Sequence, residues 1–157
     1  MECRHLKPGD GAIAANAVNA VKPRAERRCG EVGVEVMEGF LARPGNLLIV
    51  AVDKGHPVGY VVAYEIPRID GGAPMMLVYE VDVLAAMRRQ GIGTSMMRRL
   101  EEEARRRGIG AMWVLTDDGN PAALALYGAA GATRVEPPQV VFRWTLSRTV
   151  ASRGREP

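Results

Sequence analysis

Arg88-Arg89-Gln90-Gly91-Ile92-Gly93-Thr94 joins the apolar run Met75–Val83 to a long helical pattern, and its physics is that of an anion site. Gly91 and Gly93 lack a Cβ, so the backbone there can turn tightly and approach a ligand closely. A helix that begins at this point leaves its first N–H groups without intrahelical acceptors, at the positive end of its dipole. A diphosphate fits such a place, with Arg88 and Arg89 adding positive charge at the rim. Two other phosphate loops are excluded. No Lys follows Gly93, so the nucleotide-triphosphate P-loop is absent. A dinucleotide fingerprint needs a small residue where Met96 stands. A plain Gly-rich turn before a helix is the alternative that the loop alone leaves open.

Outward from the loop, the hydrophobic period decides each element. Met75–Val83 is a strand, preceded by the turn residues Pro67 and Asp70-Gly71-Gly72-Ala73-Pro74. Leu47–Val52 and Pro57–Ile66 form a hairpin around Asp53–His56. Downstream, Thr94–Arg107 is a helix whose buried stripe is Met97, Leu100 and Ala104, closed by Gly108. Glu101–Arg105, Glu102–Arg106 and Glu103–Arg107 are i,i+4 pairs, which makes a solvated helix face. Ile109–Thr116 reads as a strand, and Asp117-Asp118-Gly119 turns the chain. Asn120 then caps a helix Pro121–Ala130 that ends at Gly131. A closing strand is expected at Gln139–Leu146, and 147–157 is a polar tail. Upstream, His5–Asp10 is the end of a strand running into a turn, and Ala12–Val21 is a helix stopped by Pro23. Glu31–Leu41 is a second helix, with Val32, Val36, Phe40 and Met37 inward.

These elements make one α/β domain over 1–146, a size that supports a proper core. Hydrophobic content of 47% with 25% charged residues is ordinary for a soluble globular chain. Net charge is +3, and of the 21 basic residues only Lys7, Lys22 and Lys54 are lysines. That modest excess is no nucleic-acid footprint, and no apolar run reaches a membrane span of about 18 residues. Cys3 and Cys29, with only His5 and His56, offer no credible metal set and suit two free thiols in a reducing cytoplasm.

The loop matches the R/Q-x-x-G-x-G/A pattern of the GNAT N-acetyltransferases through Arg88, Gly91 and Gly93. The stretch Asn120-Pro121-Ala122-Ala123-Leu124-Ala125-Leu126-Tyr127, followed by Gly131-Ala132, resembles that family's N-x-x-A-x-x-L-Y…G segment. Three further stretches are similar to the type I aminoglycoside 3-N-acetyltransferases: Val62–Asp70, Tyr79–Val83 and Asp117–Pro121. The sequence departs from them at Asp82, where they carry a small residue, at Asn120, where they carry an acid, and through residues 1–45. The resemblance implies a GNAT fold: a central mixed, mostly antiparallel sheet, splayed at the acetyl-CoA site and flanked by helices.

It also implies roles. Acetyl-CoA would lie along the Val81, Asp82 and Val83 backbone, with its pyrophosphate on Arg88, Arg89, Gln90, Gly91, Ile92, Gly93 and Thr94. Asn120 and Ala123 would complete that site. Residues two apart on a strand share a face, so Glu80 and Asp82 point the same way, raise each other's pKa and attract a cation. Glu80 would take the proton of an acceptor amine, directly or through water. Tyr127 would return a proton to the departing thiolate, since a phenol titrates at about 10 and a thiol at about 8.5. Glu65, Asp70, Glu80, Asp82, Asp117 and Asp118 fall at strand ends or turns and together suit a polycationic acceptor, with Tyr64 and Tyr79 beside them. Each of those acids alone would be a routine surface acid.

The implied function is acetylation of an aminoglycoside, at its 3-amino group, conferring resistance. The competing readings are a GNAT enzyme acting on a peptide N-terminus, a lysine or a polyamine, and a non-catalytic acyl-CoA-binding module. A homodimer is suggested by the family alone.

Overall fold

The computed structural model describes residues 1–27, 30–137, 141, 142 and 144. In chain order the elements are β1 (Glu2–His5), α1 (Gly11–Val21), α2 (Val34–Leu41), β2 (Asn46–Asp53), β3 (His56–Ile66), β4 (Met75–Val83), α3 (Ile92–Arg106), β5 (Ala111–Val114) and α4 (Pro121–Ala129). The strands form one open sheet in the order β1-β2-β3-β4-β5. The first three pairings are antiparallel and β4–β5 is parallel, so the sheet is mixed and mostly antiparallel.

Strand alternation splits the core into two layers. Leu47, Ile49 and Ala51 of β2 pack with Met96, Met97 and Leu100 of α3 on one face. Leu48 and Val50 point to the other, against Ala14 and Ala17 of α1 and Met37 and Leu41 of α2. The buried alanines let α1 lie close to the sheet. Glu38 of α2 accepts from the N–H groups of Gly9 at 2.9 Å and Gly11 at 2.7 Å, which ties α2 to the start of α1. At its other end α1 stops because Pro23 forces the preceding residue to extend; Lys22 has φ −86° and ψ 121°.

Two irregularities of β4 shape everything near the functional loop. Val62 pairs with Glu80 but Ala63 pairs with Val78, so Tyr79 is an extra residue, a β-bulge. In addition, β5 pairs with β4 only from Met75 to Val78, while β4 runs on to Val83. The second half of β4 therefore has an unpaired edge on that side among the described residues.

Most elements lie where the sequence puts them, and the departures have physical reasons. Val36 is 66% exposed; the eight-residue α2 buries Met37 and Leu41 instead, a pair four apart on the side facing α1 and the sheet. Glu103 is buried, not part of a solvated face. It lies 3.0 Å from His5 Nδ1 of β1 and 2.7 Å from Arg106, so it joins α3 to the sheet edge as well as pairing along the helix. Of the expected closing strand Gln139–Leu146 only 141, 142 and 144 are described, none of them in a strand, and Cys29 lies outside the described residues. No helix among the described residues is long and apolar enough to cross a membrane.

Leu100 is fully buried, so Leu100→Ala should lower unfolding free energy by about 2–5 kcal/mol. Val36→Ala should change it by less than about 0.5 kcal/mol. Denaturant midpoints of the two variants check this contrast directly.

Candidate active site

The loop after β4 has the backbone geometry expected of an anion site. A short 3-10 turn at Ala85–Met87 leads to Arg88, and Arg89 and Gly91 take left-handed φ values of 64° and 77°. Gly91 is the N-cap of α3, and the Ser95 N–H donates to its carbonyl at 2.9 Å. The N–H groups of Ile92, Gly93 and Thr94 thus precede the first intrahelical bond and point out of the helix end. The Ile92 side chain is buried in the core, leaving only its backbone for a ligand. A Cβ on Gly93 would stand 2.9 Å from Leu126 Cδ1, so glycine there also admits α4 against α3. Arg88 closes the loop by donating from Nε to the Val83 carbonyl at 3.0 Å. Arg89 and Gln90 are exposed at the rim.

The free edge of β4 has a definite polarity. The Leu84 N–H donates to Val58 O at 2.9 Å, which fixes the alternation of the antiparallel ladder. Asp82, opposite Tyr60, and Glu80, opposite Val62, spend their backbone groups on β3. Val81 and Val83 turn theirs to the open edge, beside the start of α3. Asp82 therefore faces the open edge with neither its backbone nor its carboxylate.

On the α1/α2 side of the sheet the bulge brings both carboxylates together. The Tyr60 hydroxyl, on a side chain buried in the core, donates a short bond to Glu80 Oε1 and lies 3.1 Å from Asp82 Oδ2. Lys22 Nζ reaches the same Glu80 oxygen at 2.7 Å. Burial raises the Glu80 carboxyl, but Lys22, Tyr60 and Asp82 outweigh it and hold the group below the usual range. Burial and the neighbouring Glu80 push Asp82 up. Burial, then the two carboxylates, keep Tyr60 firmly protonated. The two acids thus divide: Glu80 is the fixed anion, and Asp82 holds a proton more readily.

Above this cluster lies an open cavity of about 170 Å³. Its walls are Val18, Met37, Phe40 and Val62 with the rings of Tyr64 and Tyr79, and its charged floor is Lys22 and Glu80. Phe40, Tyr64 and Tyr79 meet edge to face, with centroids 6.1 and 5.4 Å apart.

The other expected acids do not converge here. Glu65 points to the opposite face and pairs with Arg107 at 3.1 Å. Asp70 is exposed and bonded to Arg68. Asp118 is exposed and pairs with Arg134 at 2.7 Å, and Asp117 is exposed in the turn before α4. Asn120 caps α4 as expected, accepting from the Ala123 N–H at 3.1 Å. Tyr127 is half-buried on α4, where burial raises its pKa. Lys22 and Tyr60 escaped the sequence reading. Tyr60 lies opposite Asp82 only because of the β4 bulge, since a straight β3–β4 register would set it opposite Val81; nothing in the sequence signals Lys22 beyond its place before Pro23.

L-2,4-diaminobutyric acid acetyltransferase of Nocardia farcinica is 29% identical over 91 residues, 58% of this chain and 45% of its own. The chain thus spans about half the length of that curated relative. An aminoglycoside acetyltransferase from an uncultured soil metagenomic sample, solved with sisomicin, has a TM-score of 0.83 at 20% identity, over 93% of this chain and 96% of that one. Ribosomal-protein-alanine N-acetyltransferase from Brucella melitensis biovar Abortus 2308 has a TM-score of 0.70 at 19% identity, over 92% and 100%. Those two likenesses speak for the fold, and the acceptors their names carry differ widely. The pattern of the acetyltransferase (GNAT) family matches residues 15–132, well over half the chain, and with the sheet, loop and helix in their places this protein belongs to that family.

Proposed function

We propose that the chain is an acetyl-CoA-dependent N-acetyltransferase whose acceptor is an amine. The observation that carries this reading is that one strand joins the parts. Within nine residues, β4 holds two clustered carboxylates on one side, a backbone edge unpaired among the described residues, and the entry to the glycine loop. The residues present fit the coenzyme. Backbone amides from Gly91 to Thr94, with Arg88 and Arg89, would hold its pyrophosphate. Val81 and Val83 would bond its amide-bearing arm in the manner of an added strand. Asn120 and Ala123 would border it.

When bound, acetyl-CoA supplies the thioester acetyl group. The protein's own part is binding and proton management. Glu80 anchors the acceptor's ammonium by charge. Asp82, the more basic carboxylate, shares with Glu80 the task of accepting its proton, so that the nitrogen lone pair is free. This moves part of the role expected of Glu80 onto its neighbour. Val81 or Val83 N–H polarises the acetyl carbonyl. Tyr127, kept protonated by its burial, is the donor for the thiolate.

The acceptor we propose is an aminoglycoside, acetylated at a ring amine, the 3-amino group by the resemblance of Val62–Asp70 and Tyr79–Val83. The fold likeness to the sisomicin-bound enzyme supports it. Such a reaction would be cytoplasmic and would confer resistance. A second reading has its own observation. Glu65, Asp70 and Asp118 each have an arginine partner, whereas Glu80, paired with Lys22 and with Asp82 beside it, lies in a cavity with aromatic and aliphatic walls. That pocket suits a smaller acceptor with one reacting amine, such as an amino acid, a peptide N-terminus, a lysine or a polyamine end.

The test is thiol release and a mass gain of one acetyl group when the protein is incubated with acetyl-CoA and each of sisomicin, gentamicin, spermidine and diaminobutyrate. Acetylation of the aminoglycosides alone selects the first reading, and absence of transfer to any amine defeats both. Tyr127→Phe should lower kcat by about 10²-fold or more while acetyl-CoA binding persists. Tyr60→Phe removes the hydroxyl that stabilises both carboxylates, so both titrate at higher pH. Because they must be ionised to accept a proton, the acid limb of the kcat/KM profile should move upward in pH.

A further inference from the structure

We infer that Lys22 is a tethered ammonium that occupies the acceptor amine's place at Glu80 and sets the charge of acceptor the pocket selects. The inference rests on the proposed amine site, although its first test needs no catalysis. Lys22 Nζ stands 2.7 Å from Glu80 Oε1, and the side chains are only 23% and 25% exposed. Both line the cavity over the acid pair. The position is fixed by the backbone: Pro23 ends α1 with Lys22 extended, which aims its side chain off the helix end and across to β4.

The residue type is informative. Only three of 21 basic residues are lysines, and the acids Glu65, Asp70 and Asp118 pair with arginine. Arginine is the better partner for a permanent carboxylate pair, because its planar fork can bind both oxygens. A lysine offers a compact primary ammonium on a flexible stem, the same group that an alkylamine acceptor presents. It binds one oxygen here and leaves the other unclaimed by it. An incoming ammonium can therefore exchange with Lys22 at Oε1, like for like.

The charge around that oxygen is countable. Facing Glu80 are Lys22 from the end of α1, the Tyr60 hydroxyl from β3 and Asp82 from β4. The nearest parts of α2 are the uncharged Met37 and Phe40, and Tyr64 and Tyr79 close the wall. With both acids ionised the cluster carries −1; without Lys22 it would carry −2. Lys22 thus weakens the attraction for every cation and weakens it most for a polycation. It favours acceptors that bring one ammonium and a ring or aliphatic body for the walls.

The experiment uses the full chain as wild type, Lys22→Met, Lys22→Gln and Lys22→Arg, each checked for folding by circular dichroism. Sisomicin binding is measured by calorimetry at low salt without coenzyme, and the Glu80 carboxyl is titrated by NMR. Loss of the charge in Lys22→Met and Lys22→Gln should tighten sisomicin binding by about tenfold, whereas Lys22→Arg should stay near wild type. In the neutral variants Glu80 should titrate at higher pH, having lost its largest favourable partner. In the acetyl-transfer assay KM for sisomicin should fall by a similar factor with kcat changed less. Unchanged or weaker sisomicin binding in both neutral variants, an unmoved Glu80 titration, or sisomicin binding to none of the proteins overturns the inference. If the binding and titration shifts appear but wild type releases no thiol with any amine, the acetyltransferase reading fails and the assignment of Lys22 stands.

Discussion

One inserted residue organises the site. Met76 and Val78 of β4 pack into the α3-side core, and so do Val81 and Val83. An unbroken strand cannot do this, because residues an odd number apart face opposite ways. Tyr79, bulged out of the ladder and 62% exposed, absorbs the change of phase. Without the bulge, with Tyr79 paired in the ladder, Glu80 and Asp82 would turn into the apolar layer beneath α3, where two unpaired carboxylates cost far more than a strand pairing returns. With it they turn toward Tyr60, whose hydroxyl is the donor they need. The bulge also coincides with the end of the β4–β5 ladder. A bent strand cannot keep a straight partner, so the step that aims the acids opens the edge on which the coenzyme would lie.

The glycine loop then follows from the same strand. Arg88 bonds the last carbonyl of β4, which draws the loop back across the strand end and sets where α3 begins. Two glycines serve different needs. Gly91 supplies the left-handed turn, and Gly93 gives Leu126 the room to bring α4 alongside. That contact carries Tyr127 into position, one residue beyond Leu126. The glycine loop and the proposed proton donor are therefore coupled through packing at a single missing Cβ.

The sequence made the strand, the loop and the helix legible because each has a local cause: a period, a pair of glycines, a cap. β4 was bounded to the residue, and Asn120 caps its helix as read. The phase slip between Val78 and Val81 is also written in the sequence, once one asks which valines are inward. What local pattern could not give was the company each side chain keeps. Val36 has helical spacing but the wrong side of a short helix, and Glu103 has i,i+4 partners yet is buried under β1. Lys22 and Glu80 are 58 residues apart, and only the close seating of the alanine face of α1 on the sheet brings them together.

The same limit explains the fate of the acidic cluster. Six acids at strand ends and turns resemble a cation trap when counted along the chain. In space arginines neutralise three of the six where they stand: Glu65, Asp70 and Asp118 by Arg107, Arg68 and Arg134. Such exposed pairs contribute little to stability, but each removes a charge from any long-range field. On the proposed reading, selection of a cationic acceptor would be concentrated in the half-buried pair on β4, where the surrounding apolar walls keep the field from being screened. A site of that kind discriminates by what fits against two carboxylates and a lysine within one small cavity, and the overall charge of the protein has little say in it.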